Sequence, residues 1–252
     1  MIYFIGAGPG AVDLITVRGA EILRSAVRII YAGSLVNPEI LTTYAREGCE
    51  IFDSSSMTLG EITGLLVDGH EAGIVTVRLH SGDPAVFGAV REQMNILREK
   101  GIPFEVVPGV SSLFAASSAL KTEYMIAGGT QTLIVTRAEG RTPVPESEGL
   151  KSLAEHGASI AVFLSARMCE AVCSELIAGG YAGDTPAALV YRASWPDEVV
   201  IRGTLSTLPE LSRGITKTAI ILAGDFLNYN DGAKSKLYDK NFSHEYRNNS
   251  IH

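Results

Sequence analysis

Cysteine, tryptophan and long apolar runs are all scarce in this chain. Three cysteines among 252 residues, Cys49, Cys169 and Cys173, are too few and too unpaired for a disulfide framework and point to a reducing compartment. Cys169 and Cys173 are four apart on an expected helix with no histidine nearby, so the spacing reads as buried thiols and no metal site is expected. No stretch reaches the roughly 18 apolar residues of a membrane span. The opening "MIYFIGAGPG" lacks the basic start and long apolar core of a signal peptide. Basic residues are also outnumbered, 21 Lys and Arg against 28 Asp and Glu, giving a net charge of −7. That balance offers no global attraction for nucleic acid or an anionic membrane, although a few arginines suffice for an anionic small molecule. A soluble cytoplasmic protein is expected. Ser-His-Asp order, a Walker loop and an H-E-x-x-H helix are missing too.

What is present is alternation. β-branched runs at 2–5, 27–31, 74–79, 104–107, 132–136, 160–164, 188–191, 199–202 and 219–222 are separated mostly by amphipathic stretches. This predicts α/β architecture with mainly parallel sheets. Thr58 to Glu61 spells a capping box. Asp83-Pro84 reads as a helix start, with Val86, Val90, Met94 and Leu97 along one face and Gly101 as the stop. The polar "KTEYMIAGGTQ" divides two expected domains, 1–120 and 131–228, with 121–130 as linker and a polar, disordered tail at 229–252.

Five segments are candidates for chemistry. "IYFIGAGPGAVDL", 2–14, passes at first sight for a dinucleotide fingerprint through Gly6, Gly8 and Ala11. The acidic residue expected near the end of the second strand is replaced by Tyr31-Ala32-Gly33, and Pro9 removes an amide from the loop. An ordinary dinucleotide site is therefore disfavoured, while glycines at a strand's carboxyl end still permit close ligand approach. In "VRLHSGDPAVFG", 77–88, Gly82 allows a tight turn and Asp83 either caps a helix or meets a ligand. His80 is a weak acid–base candidate, since a lone histidine at a strand end is more often structural. In "VVPGVSSLFAASSAL", 106–120, Ser111 and Ser112 offer hydroxyls at a helix start, for capping or for a ligand. "VTRAEGRTPVPE", 135–146, carries Arg137, Glu139 and Arg141 on a loop, either solvated or suited to carboxylates. In "VYRASWPDE", 190–198, Arg192 and Trp195 either flank a planar acidic ligand or form a salt bridge and a core aromatic.

Taken in order, Gly6-Ala7-Gly8-Pro9-Gly10, Ser81-Gly82-Asp83-Pro84 and Val107-Pro108-Gly109-Val110-Ser111 resemble the tetrapyrrole (uroporphyrinogen/precorrin) methylase family, over about residues 2–225. "YAGSLV", "LHSGDPAVFGA" with "REQM", "TQTLIVTRAEGRTPVPE" and "YRASWPDE" are most similar to its precorrin-4/cobalt-precorrin-4 C11-methylating branch. Ala11-Val12 departs from the Asp-Pro common there. The resemblance implies S-adenosylmethionine as methyl donor, S-adenosylhomocysteine as product, an anionic tetrapyrrole substrate, a homodimer, and an active-site cleft between the two α/β domains. It implies donor contacts at Pro9, Ser81, Gly82, Asp83, Val86, Ser111, Ser112, Leu164, Ala193 and Ala219. The substrate's carboxylates make Arg78, Arg137, Arg141 and Arg192 candidate anchors, Arg141 and Arg192 foremost, with Glu139 beside them. Proton handling falls to His80 or Asp83, if to any residue.

Overall fold

The computed structural model describes residues 1–228 and, beyond them, eight residues from Ser235 to Arg247. The expected tail at 229–252 thus falls for the most part, 16 of its 24 residues, outside the described residues. The chain divides into two compact units, one of residues 1–116 with 192–198, the other of 117–191 with the residues from 199 onward.

The first unit alternates strand and helix: β1 (Ile2–Gly6), α1 (Val17–Ser25), β2 (Arg28–Tyr31), α2 (Glu39–Tyr44), β3 (Glu50–Asp53), α3 (Leu59–Glu71), β4 (Thr76–His80), α4 (Arg91–Glu99) and β5 (Phe104–Val107). The strands form one sheet in the order β3-β2-β4-β1-β5, with every pair parallel. Both faces are covered, as a parallel sheet requires. Ile5, Ile29, Val77 and Leu79 join Leu23 of α1 and Ile40 of α2 in one core cluster. Ile2, Phe4 and Ile30 join Leu66 of α3 and Leu97 of α4 in the other. Strand alternation turns Thr76, Arg78 and His80 of β4 toward this second cluster, an unusual polar row inside an apolar layer.

Helix α5 (Ser112–Leu120) leads into the second unit: β6 (Leu133–Arg137), α6 (Leu150–Ala154), β7 (Ser159–Phe163), α7 (Cys169–Ala178), β8 (Pro186–Tyr191), β9 (Val199–Thr204), α8 (Leu208–Leu211) and β10 (Ala219–Ala223). Its sheet runs β6-β7-β10-β8-β9. Here the expectation of mainly parallel pairing needs correction. Only β6 and β7 are parallel; β10 is antiparallel to both neighbours, and β8 to β9. Residues 192–198 join β8 to β9 without a helix, and a parallel crossover needs roughly a dozen residues or more. The core beneath this sheet gathers Leu150, Ile160, Val172, Leu176, Leu189, Leu208 and Ile221.

Two local readings are sharpened. The capping box forms: the Thr58 hydroxyl accepts from the Glu61 amide, and the Glu61 carboxylate accepts from the Thr58 amide. The helix expected from Pro84 instead begins at Arg91. Phe87 and Ala89 take left-handed backbone angles, φ 53° and 49°, which an α-helix cannot absorb.

Candidate functional site

Strands β4, β1 and β5 are neighbours and parallel, so their carboxyl ends open on the same edge of the first sheet, where open α/β sheets bind ligands. Three loops leave there, and glycine lets them close on one another through backbone. Gly8 and Gly82 exchange hydrogen bonds, Gly82 N donating to Gly8 O at 2.8 Å and Gly8 N to Gly82 O at 3.2 Å. A Cβ on Gly6 would lie 2.5 Å from Gly82 O and 2.6 Å from Gly109 Cα. The Asp83 carboxylate completes the lock: Oδ1 accepts from Ala85 N at 2.8 Å and Oδ2 from Gly109 N at 2.9 Å. Asp83 therefore ties the second loop to the third, and both its oxygens are occupied by amides. The buried Ser111 hydroxyl accepts from Leu113 N at 3.3 Å, the capping reading of that residue. Pro9 is buried, whereas Ser81, Gly82, Val86 and Ser112 are partly accessible. So the fold gathers Pro9, Ser81, Gly82, Asp83, Ser111 and Ser112 at one sheet edge.

Residues 192–198 pack on the outer flank of the first loop. Trp195 Nε1 donates to Pro9 O at 2.9 Å, and the Ala11 amide donates to Ser194 Oγ at 3.0 Å. A Cβ on Gly10 would meet Trp195 Cδ1 at 2.0 Å, so the indole occupies the space that the glycine leaves. Arg192 stacks over the Trp195 ring, 3.9 Å from its centroid, and pairs with Asp197 at 2.5 Å. Its charge is thus already partnered within this segment. Ala193 beside it is buried.

In the second unit Leu164 directly follows β7 and Ala219 opens β10, the strand paired with β7. Leu164 has a left-handed φ of 56° and is 67% exposed, an open position for so large an apolar side chain. Arg137 is folded onto its own loop, donating to the carbonyls of Ala138, Thr142 and Pro143. Glu139 and Arg141 are exposed. A cavity of about 670 Å³ in this unit is lined by Cys169, Cys173, Ser212 and Arg213 among others, and by none of the expected site residues. Cys169 Sγ accepts from Ser212 Oγ at 3.4 Å, and its neighbour Cys173 holds it below the ordinary thiol range while the Cys173 thiol itself is raised.

Two expectations change. His80 does not face the loops. Its ring stacks on Phe4 at 6.1 Å, it is 4% exposed, and no group among the described residues bonds its Nε2. Burial, then the nearby Arg78 charge, push its pKa down to about 3, so the imidazole is neutral and unsuited to proton handling at neutral pH. Arg78 is no substrate anchor either: it is 5% exposed inside the same layer. Sequence reasoning missed its partner Gln93, and also Asp53, whose Oδ1 accepts from Gly33 N at 3.1 Å at the far side of the same sheet edge. Nothing in the local sequence around Gln93 signals a role, but an acidic residue ending an edge strand could have drawn attention to Asp53.

The chain matches the family model for Tetrapyrrole (Corrin/Porphyrin) Methylases over residues 1–209. It is 49% identical over 248 residues to the cobalt-precorrin-4 C(11)-methyltransferase of Methanocaldococcus jannaschii, covering 98% of this chain and 95% of that one. The solved cobalamin biosynthetic enzyme cobalt precorrin-4 methyltransferase, CbiF, is similar with a TM-score of 0.87 and 46% identity, over 90% of this chain and 95% of that one. Uroporphyrin-III C-methyl transferase from Thermus thermophilus, solved in complex with S-adenosylhomocysteine, is similar at 0.76 and 27%, over 90% and 98%. With the loop cluster in place and the family model matched across most of its length, the chain belongs to the tetrapyrrole methylases.

Proposed function

We propose that this protein is an S-adenosylmethionine-dependent C-methyltransferase that methylates C11 of cobalt-precorrin-4 in corrin synthesis. The observation that carries this reading is the backbone-to-backbone closure of the loops around Gly6, Gly82 and Gly109, in a chain 49% identical to a relative named for that activity. The donor, when bound, supplies an electrophilic methyl group on a sulfonium. Small residues suit such a ligand: Ser81, Gly82, Ser111 and Ser112 leave main chain and short hydroxyls near the sheet edge. We assign the remaining donor contacts in the first unit to Pro9, Asp83, Val86 and Ala193.

Neither His80 nor Asp83 is arranged as a general base. His80 is buried and neutral, and Asp83 is committed to two amides. The chain's contribution is alignment and exclusion of water, and orientation alone supplies up to roughly 7–11 kcal/mol. Cobalt belongs to the substrate, ligated by the macrocycle. Of the candidate anchors, Arg141 is exposed and makes no ion pair among the described residues, so it is the cation we assign first to the substrate's carboxylates. Arg192 follows if it exchanges Asp197 for substrate, with Arg137 and Glu139 shaping the same loop region. The −7 net charge supports a small-molecule partner over nucleic acid or membrane, and no helix among the described residues is long and apolar enough to cross a membrane. The family reading adds a cytoplasmic homodimer.

Incubation of the purified protein with methyl-labelled donor and precorrin-4, with and without cobalt, tests the assignment. Label at C11 is expected; methylation at another ring position, or tight NAD binding without transfer, overturns it. Arg141→Ala is expected to raise KM for the tetrapyrrole about tenfold or more, because a charge-assisted hydrogen bond is worth roughly 1.5–3 kcal/mol. Its S-adenosylhomocysteine affinity should be unchanged.

A further inference from the structure

The loop that follows Ser81-Gly82-Asp83 is held in a form that its residues do not favour. Phe87 and Ala89 both have left-handed backbone angles without being glycine. Gly88 between them is packed so tightly that a Cβ would lie 2.3 Å from Pro84 O. Non-glycine residues stay in that region only where their surroundings over-determine them. One of the groups that hold it is a buried side chain on the following helix. Gln93, on the first turn of α4 and 4% exposed, donates from Nε2 to Ala89 O at 3.1 Å. Its Oε1 in turn accepts from Arg78 Nε at 3.2 Å. Arg78 also donates from Nη1 to Ile30 O at 3.2 Å, at the carboxyl end of β2.

Arg78 is the odd member. It is a cation buried among Ile2, Phe4, Ile30 and Leu97, and it makes no ion pair among the described residues. A buried charge without a counter-charge is costly, and a neutral residue of similar size would pack the layer at lower cost. What the guanidinium does achieve is orientation. An amide rotated by half a turn would present its nitrogen to Arg78 and its oxygen to the Ala89 carbonyl, two repulsive contacts. The fixed donors of Arg78 forbid that flip and leave Gln93 one orientation, with its NH₂ toward Ala89.

We propose that Gln93 is a positioning residue for methyl transfer: oriented by Arg78, its amide clamps the left-handed turn at Ala89 and so fixes the stretch from Asp83 to Val86 beside the donor. This rests on the reading of the Ser81–Asp83 loop as part of the donor site. The clamp acts through Ala89 and touches no reactant.

Gln93→Glu separates this role from simple core stability. The carboxylate gives Arg78 a counter-charge, so the melting temperature without ligand is expected to hold or rise. It has no hydrogen for Ala89 O, so backbone amides of residues 85–90 should exchange faster, and S-adenosylhomocysteine affinity by calorimetry should fall about 10-fold to 100-fold, the scale of a small misplacement. Ala89→Gly in that background restores a residue at ease with φ near +49° and should recover much of the affinity. Gln93→Met, which strands the Arg78 charge, should lower the melting temperature instead. Wild-type affinity in Gln93→Glu, or a loss that Ala89→Gly does not relieve, overturns the clamp. Failure of the unmodified protein to bind S-adenosylhomocysteine overturns the donor reading instead; the exchange rates then decide the clamp alone.

Discussion

His80 shows how burial decides what a residue is for. Its ring enters the folded protein uncharged, with a pKa near 3 against the ordinary 6.5. Between those values the unfolded chain binds a proton that the folded chain refuses. Stability is therefore unaffected above pH 6.5 and falls steadily as pH drops toward 3. By pH 5 the loss from this group is about 2 kcal/mol, at roughly 1.4 kcal/mol per unit. Melting temperatures from pH 7 to 4 should fall less steeply in His80→Gln than in the unmodified chain; parallel curves would assign the acid sensitivity elsewhere. The glycines make the opposite point, where the missing atom is the function. Gly109→Ala would place a Cβ 2.2 Å from Gly82 O and 2.7 Å from Gly6 Cα, both main chain that has nowhere to go. A loss of about 3 kcal/mol or more is expected in urea melts, at the upper end for overpacking. Gly60, in α3 with open space around it, provides the contrast: Gly60→Ala should stabilise by about 0.5–1 kcal/mol.

Among the elements, the loops of the site were legible and their partners were not. Gly-Ala-Gly-Pro-Gly, Ser-Gly-Asp-Pro and Pro-Gly-Val-Ser each follow an apolar β-branched run, so they mark strand ends by composition alone. The strand β3 was missed because Glu50-Ile51-Phe52-Asp53 is a short edge strand framed by acids, with Ile51 46% exposed. The α4 start was misplaced because Pro84 after Asp83 imitates a helix cap, while the left-handed turn at 87–89 depends on Gln93 folding back. The antiparallel pairing of β8 with β9 follows from the absence of a helix between them. Least visible was the segment 192–198, whose Trp195 reaches a carbonyl 186 residues earlier. Glycine at position 10 and tryptophan at 195 form one fitted pair. Gly10→Ala and Trp195→Ala should each destabilise, yet the double variant should be little worse than Trp195→Ala, because the clash needs both side chains. A coupling of about 1–3 kcal/mol in a double-mutant cycle is expected; strict additivity would mean that the loop adapts without the indole.

For the molecule as a whole, charge and chain order carry consequences that no single element shows. A net −7 repels an anionic tetrapyrrole at long range, so under the proposed function local arginines, Arg141 first among those assigned, have to overcome the global field. Chain order matters through the first unit, which is spelled by two stretches, 1–116 and 192–198, with most of the second unit encoded between them. During synthesis, after Ala116 has been added, the ribosome must add 76 residues to reach Arg192. At about 5–20 residues per second that interval lasts roughly 4–15 s. Throughout it the newborn glycine loop has its three strands but not its indole, and the bare flank of Gly10 waits on a tryptophan that has not yet been made.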